Sequence, residues 1–320
     1  MNETIMKSEN KSENAGNCSR RSFLKLIGLG GGAIALAGSQ LAQAATAAAS
    51  TGIPNGVLVD TTLCVGCRSC EEACNKVNHL PKPDKPFDDD SVLDNPRDTS
   101  PDAFTVVNRY SAGKGEPITR KQQCMHCLEP ACSSACIIKA LEKQPMGPVT
   151  YRDDLCLGCR YCMVSCPFDV PKFEYSKAAP LMKKCTFCFA RQKQGSMPAC
   201  VEACPVGALK FGPRSEILDE AKQRIYTNPS NYVHHVYGEH EAGGTSWLYL
   251  ASVPFENLGL PTLTTVPYPE LTAGAMSTVP VVMLVWPALL MGLHHFSHRK
   301  SEVQEEERSR HNVSRRGDRR

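Results

Sequence analysis

The sequence predicts an α+β fold in which two like modules are built on short cysteine loops and one further helix crosses a membrane. Three observations carry that expectation. Sixteen of the 17 cysteines fall into four groups of four, so sulfur organises the chain as much as any apolar core does. Short β-like runs flank those groups. Residues 271–293 contain no charged side chain, and at about 1.5 Å per residue such a run forms a helix able to span about 30 Å of hydrocarbon. Composition narrows the alternatives. With 42% hydrophobic residues and nearly balanced charge, the chain is not wholly disordered. A net charge of +3 and a pI near 8.1 are too mild for a nucleic-acid binder, so no such partner is expected.

Taken in order, residues 1–44 read as an export signal rather than as fold. Arg20 and Arg21 precede Ser22, Phe23, Leu24 and Lys25, then an apolar run rich in Gly and Ala, then Ala42, Gln43 and Ala44 as a cleavage site. Paired arginines before a mildly hydrophobic run mark the twin-arginine route, so the twin-arginine export machinery is an expected partner. A basic helix start leading into an Ala-rich core helix is the alternative. Cys18 lies inside this segment and is expected to be lost on maturation.

Residues 45–226 form the cysteine-rich domain. Cys64, Cys67, Cys70 and Cys74 are spaced C-x2-C-x2-C-x3-C. Cys124, Cys127, Cys132 and Cys136 read C-x2-C-x4-C-x3-C. The first spacing returns at Cys156, Cys159, Cys162 and Cys166. The last group is Cys185, Cys188, Cys200 and Cys204, with eleven residues between its middle members. A C-x2-C-x2-C loop wraps three thiolates around three corners of an iron–sulfur cube, and the next cysteine ligates the other cluster of a two-cluster module. Soft thiolates also suit zinc, but zinc sites use two separated pairs for one tetrahedron, and a third cysteine so close would crowd it. Disulfides are a second alternative in an exported chain. Neighbouring Cβ vectors in so tight a loop seldom match disulfide geometry. Four groups therefore point to four [4Fe-4S] clusters as cofactors.

Between the groups the chain behaves like a duplicated ferredoxin. Strand-like runs occur at residues 57–59, 105–107, 149–151 and 209–211, and Gly147 with Pro148 supplies a turn before the third group. Residues 136–141 look like a short helix. A better helix begins at Ser215, with Ile217, Leu218, Ala221 and Ile225 on one face. An insertion loop, rich in Pro and Asp, is expected at about 80–120. Residues 227–270 read as an arm leading to the membrane, 271–297 as the transmembrane helix and 298–320 as a basic tail. Pro280 and Pro287 would kink the helix, which membrane helices tolerate. His294, His295, His298, Arg299 and Lys300 follow the apolar run, and positive residues there place that end in the cytoplasm. The bulk then faces the periplasm, in agreement with the export signal. A buried soluble helix is the alternative for this segment.

The four groups, in this order, resemble the four-cluster electron-transfer subunits of membrane-bound oxidoreductases, among them formate dehydrogenase beta subunits, dimethyl sulfoxide reductase B subunits and hydrogenase-2 iron–sulfur proteins. The twin-arginine signal, Tyr237, Gly238 and Glu239, Gly243, Gly244 and Thr245, Val253 to Leu258 and the single span with its basic tail are most similar to the HybA type. The resemblance implies that Cys64, Cys67, Cys70 and Cys204 hold one cluster, and Cys74, Cys185, Cys188 and Cys200 its neighbour. Likewise it pairs Cys124, Cys127, Cys132 and Cys166 with a fourth set, Cys136, Cys156, Cys159 and Cys162. Ile137 departs from the pattern, standing where proline is usual after the last cysteine of a group. The implied function is a relay without a catalytic site. Electrons would pass between a periplasmic nickel–iron hydrogenase, with its small and large subunits, and a multi-span quinone-binding subunit of the inner membrane. A molybdenum or tungsten formate dehydrogenase, or another respiratory reductase, is the alternative source, and a zinc-stabilised anchored scaffold is the reading from a different class.

Four weaker features have two readings each. His126 lies between two ligands and is expected beside a cluster rather than on it. His294 and His295 are interfacial residues or ligands of a partner's haem. Lys183 and Lys184 offset cluster charge or are merely solvated. Trp247 and Tyr249 face a partner or close a small core.

Overall fold

The computed structural model describes residues 53–111 and 116–317. The export signal expected at 1–44, with Cys18, lies outside the described residues. Strand β1 (Asn55–Asp60) leads into the first cysteine group and helix α1 (Ser69–Val77). A hairpin of β2 (Val106–Tyr110) and β3 (Ile118–Gln122) delivers the second group, which continues through the short helix α2 (Ala131–Ser134) into β4 (Leu141–Lys143). Strand β5 (Val149–Tyr151) pairs antiparallel with β4 and leads to the third group and α3 (Tyr161–Val164). A two-residue hairpin, β6 (Lys172–Phe173) and β7 (Met182–Lys183), precedes the fourth group, which carries α4 (Phe189–Lys193) and α5 (Ala199–Glu202). The chain closes with β8 (Leu209–Pro213), α6 (Arg214–Thr227), β9 (Trp247–Leu250) and α7 (Tyr268–Gly317).

Two antiparallel strand pairs thus each accompany a pair of short helices. β1 pairs with β8 while α1 packs on α5; β4 pairs with β5 while α2 packs on α3. The first sheet has a third member, because β9 runs parallel to β1 on its other side, giving the order β8-β1-β9. A central strand covered on both faces must be apolar at every position, and Val57, Leu58 and Val59 meet that demand. Val57 and Val59 join Trp247, Tyr249, Phe187 and Cys200 in the larger core, towards the cysteine loops. Leu58 joins Leu248 and Leu250 on the opposite face, beneath Ile217 and Ala221 of α6. Those two helix residues are four apart, on one stripe. Helix α6 is also held by charge, since Arg224 bridges the fully buried Asp60 of β1, at 2.8 Å, and Glu220, at 2.7 Å.

Three expectations meet a different structure. The arm expected at 227–270 folds back, and its strand β9 is the most deeply buried of the sheet, with Trp247, Leu248, Tyr249 and Leu250 all at 0% exposure. Residues 136–140 are not helical. The left-handed Lys139 (φ 54°) reverses the chain and Leu141 already belongs to β4, so the helix lies upstream in α2. The loop expected at about 80–120 is irregular only in its first part. It holds a 3-10 turn at Asp90–Asp94, followed by β2 and the start of β3.

Helix α7 continues well past the apolar stretch, through Pro280 and Pro287 and through much of the expected tail. Its Tyr268–Arg308 portion is long and apolar enough to cross a membrane. Leu271, Val282, Leu284, Trp286 and Leu290 all stand exposed on it, and apolar side chains presented all round a helix call for lipid or a partner.

Candidate metal centre

The four groups share a backbone device. The residue before the second cysteine is left-handed in each: Gly66 (φ 74°), His126 (φ 46°), Gly158 (φ 69°) and Phe187 (φ 55°). In the first and third groups the residue after the second cysteine is left-handed too, Arg68 (φ 59°) and Arg160 (φ 64°), and it starts the following helix. Lys139, Asp169 and Gly207 repeat the conformation three residues beyond Cys136, Cys166 and Cys204. Such residues curl the chain, so successive sulfurs point inward while amide N–H groups turn towards them. The amide of Ala140 donates to Cys136 Sγ at 3.2 Å, Phe187 to Cys185 Sγ at 3.3 Å and Gly158 to Cys156 Sγ at 3.4 Å. For residues other than glycine the conformation costs about 1–3 kcal/mol each. Recurrence at equivalent positions of separate loops marks it as part of the site.

All sixteen cysteines of the groups carry free sulfurs, without a disulfide among the described residues. Their neighbours can be read from the charges that act on each. Cys64 feels Cys67 and Cys204, and these three line a cavity together with Cys70. Cys74 feels Cys185, Cys188 and Cys200. Cys127 feels Cys124, Cys132 and Cys166, and Cys162 feels Cys136, Cys156 and Cys159. Charge also acts between these sets: Cys200 on Cys70, Cys124 on Cys185, and Cys162 on Cys132. Cys67 and Cys159 are the exposed members.

Burial dominates the acidity of these thiols. It pushes Cys185 and Cys132 up to about 12 and Cys162 and Cys166 up to about 11, with neighbouring thiolates adding to the effect. Cys70, Cys74 and Cys127 are raised for the same reason. Without a cation beside them, these sulfurs would stay protonated. A cationic centre deprotonates a coordinating thiol outright, so a sulfur-only donor set held in tight loops fits a thiolate-ligated metal cluster.

Around the sulfurs stand buried basic groups, of which Lys121 and Lys143 were not singled out by the sequence pattern. Lys121 on β3 is buried beside Cys70, Cys185 and Cys200. Lys143 donates to the carbonyls of His126, Cys127 and Gly147, and burial lowers its ammonium to about 8. Lys184, one of the pair left open above, is buried and donates to the carbonyls of Val149 and Cys185. His126 is fully buried and stacked on Phe187 at 4.9 Å. Its Nδ1 accepts from the Val149 amide at 2.9 Å. Burial, aided by Lys184 and Lys143, holds its pKa well below the usual histidine range, so the ring is neutral. Trp247 and Tyr249 close the core next to the loops, whereas His294 and His295 are exposed on α7. Glu71 sits directly after Cys70 and was also missed. It is buried between Arg68, at 3.1 Å, and Arg97, at 2.6 Å, and accepts from the Val107 amide. Only a charged pair close in sequence, Arg68 and Glu71, hinted at it.

Comparison with known proteins agrees with this chemistry. The model of the 4Fe-4S dicluster domain matches residues 118–214. A protein of Nitratidesulfovibrio vulgaris is 51% identical over 295 residues, covering 91% of this chain and 80% of its own length. The hydrogenase-2 operon protein HybA of Escherichia coli O157:H7 is 36% identical over 296 residues, covering 81% of this chain and 87% of its own. The iron–sulfur subunit of the nitrate-inducible formate dehydrogenase of Escherichia coli is 37% identical over 200 residues, 60% of this chain and 66% of that subunit. The cysteine-rich fold is therefore a ferredoxin-like dicluster type related to iron–sulfur subunits of oxidoreductases.

Proposed function

Because the chain belongs to the HybA family of hydrogenase-2 operon proteins, we propose that it is an exported, membrane-anchored relay carrying electrons through four [4Fe-4S] clusters. The observation that carries this reading is the grouping of the sulfurs. The charges acting on each sulfur gather the sixteen cysteines into four neighbourhoods of four, linked in one succession whose first and last members include the exposed Cys67 and Cys159.

The first set is Cys64, Cys67, Cys70 and Cys204, and the second is Cys74, Cys185, Cys188 and Cys200. The third is Cys124, Cys127, Cys132 and Cys166, and the fourth is Cys136, Cys156, Cys159 and Cys162. Together they make a duplicated two-cluster module. When bound, such clusters supply one-electron transfer at potentials set by burial, charge and hydrogen bonds to sulfur. The chain's own residues do the setting. Amides of Phe187, Gly158 and Ala140 donate to sulfur, and the neutral His126 and the apolar residues around Trp247 exclude water. The relay asks no group among the described residues to act as a catalytic acid, base or nucleophile.

Electrons enter and leave at the two ends, where exposed apolar side chains accompany each exposed cysteine. Val65 and Val206 are exposed and line the cavity of Cys67, and Leu157 and Tyr161 are exposed two residues to either side of Cys159. Exposed apolar collars of this kind suit permanent subunit contacts. One partner is a periplasmic nickel–iron hydrogenase with its small and large subunits. The other is a multi-span subunit that binds quinone in the inner membrane. The likeness to HybA over 81% of the chain extends beyond the cysteine domain and supports this choice. The formate dehydrogenase likeness, over 60% of the chain, supports the second reading, a relay serving a molybdenum enzyme. Residues 1–44 direct twin-arginine export, and α7 anchors the chain with its basic end in the cytoplasm.

Elemental mass spectrometry of the complex, solubilised from native membranes through a tag on this chain, tests the reading. About 16 iron atoms per chain above those of the partners are expected from four clusters, together with stoichiometric nickel. Molybdenum or tungsten in place of nickel would transfer the relay to a formate dehydrogenase. Zinc with little iron would overturn the relay.

A further inference from the structure

Lys121 is a lysine where burial should forbid one. Its side chain is 2% exposed, and among the described residues no carboxylate pairs with it. A buried ammonium without a counter-charge is strongly unfavourable. Among the described residues its Nζ makes one hydrogen bond, to Gln123 Oε1 at 2.9 Å, and lies 4.5 Å from the Trp247 ring centroid. Lys143 and Lys184 differ, because each gives its protons to two or more backbone carbonyls and so holds loops together. Lys121 instead lines the cavity of Cys64, Cys67, Cys70 and Cys204. It is also acted on by Cys185 and Cys200 of the neighbouring set.

We infer that Lys121 is a fixed positive charge shared by the first and second cysteine sets, and that it raises the reduction potentials of the clusters they hold. The inference rests on the four-cluster reading and assigns a role to a residue outside the ligand sets. The surroundings hold the charge in place. Lys121 donates to Gln123 Oε1, Gln123 Nε2 donates to the Tyr249 hydroxyl at 2.7 Å, and that hydroxyl donates to the Lys121 carbonyl at 3.0 Å. This closed circuit ties β3 to β9 and prevents the side chain from swinging out to solvent. The Nζ is thereby held inside the protein, against the cavity that the sulfurs of the first set line. Reduction adds one negative charge to a cluster, and a nearby cation in a low-dielectric interior favours the more negative state.

The test is a redox titration, followed by electron paramagnetic resonance, on the intact complex from membranes carrying the parent chain, Lys121→Met or Lys121→Arg. Lys121→Met keeps the length of the side chain and removes its charge. With the parent's iron content retained, midpoints of the clusters nearest the site are expected to fall by at least tenfold in the reduction equilibrium, about 59 mV for a one-electron couple. Lys121→Arg should restore most of that shift, which a purely structural role would not do. Gln123→Glu is the second variant, because it changes almost no volume and sets a carboxylate against the ammonium. It should lower the same midpoints even if Lys121→Met fails to assemble. Unchanged midpoints in an iron-replete Lys121→Met or Gln123→Glu complex would overturn the inference and leave the relay standing. A parent complex that holds zinc in place of iron would overturn the relay itself.

Discussion

Glu71 shows how a single residue can hold a cysteine loop from behind. It immediately follows Cys70, and its carboxylate takes Arg68 on one side, Arg97 on the other and the Val107 amide between them. Arg68 in turn reaches the carbonyls of Pro86 and Asp89, so one carboxylate joins the first group to the irregular 80–105 segment and to β2. A buried ion pair adds little net stability against apolar replacements, but removing one partner strands the other's charge at about 3–5 kcal/mol. Glu71→Ala is therefore expected to lower the urea concentration at which visible absorbance is lost, by an amount equivalent to about 3 kcal/mol or more. The exposed ion pair of Lys76 with Glu72, one residue on, is the control, and Glu72→Ala should change stability by under about 1 kcal/mol. Equal losses in the two variants would mean that the triad does not brace the loop. Legibility in sequence also divides at this scale. Gly66 and Gly158 announce left-handed positions by residue type, whereas His126 and Phe187 occupy the same positions with nothing in their chemistry to disclose it. The sulfur spacing was readable because ligation imposes it locally. The burial of Lys121, Lys184 and Glu71 was not, since it arises from strands brought together across long separations.

Among the elements, β9 and α6 decide how firmly the first sheet is held. β9 reads in sequence as an anonymous apolar run, because a strand covered on both faces has no alternation to identify it. Its parallel register with β1, Val57 opposite Trp247, is fixed only by the tertiary fold. Trp247 is fully buried against Phe187 and Lys121. Its replacement by Ala should cost about 3–5 kcal/mol. Tyr226→Ala, at 88% exposure on α6, should stay within about 0.5 kcal/mol. Parallel thermal or urea unfolding of the two variants checks the contrast, and a mild effect at Trp247 would mean that β9 is dispensable. α6 is pinned by charge as well. Burial pushes the Glu220 carboxyl up, but hydrogen bonds and charge from Lys210 and Arg224 outweigh it and hold the pKa below the usual glutamate value. A carboxylate depressed on folding contributes stability that is full above its unfolded value of about 4.3 and is lost as pH falls through the lower folded value. Acidification from about pH 5 to about pH 3 should thus loosen α6. Glu220→Gln should remove part of that pH dependence while leaving stability at low pH almost unchanged, and hydrogen exchange of α6 amides across this range measures it. An unaltered pH profile in the variant would refute the assignment.

On the scale of the whole molecule, the cysteine domain and α7 make opposite demands on solvent. The domain keeps all but Cys67 and Cys159 of its sixteen grouped cysteines at least partly covered, while α7 displays apolar side chains on every side. At about 1.5 Å per residue, the 50 residues of α7 extend for about 75 Å, more than twice the hydrocarbon core of a bilayer. Only its apolar first half suits lipid, because Glu302, Glu305, Glu306 and Glu307 crowd the turns beyond. A helix long and apolar enough to span was readable because composition over a short length is what marks it. The continuation of the helix through the charged turns was not, since no apolar stripe persists there to mark it. If α7 is an anchor and no part of the cysteine domain's stability, a chain ending at Pro267 should still be exported and fill its clusters. It should appear in the soluble periplasmic extract with the parent's iron content, and hydrogen-dependent quinone reduction by the membranes should be lost. Two results would refute this division of labour. Loss of iron on truncation would make α7 part of the fold, and retention of the truncated chain on washed membranes would make a partner subunit, through the collars at Cys67 or Cys159, the true anchor.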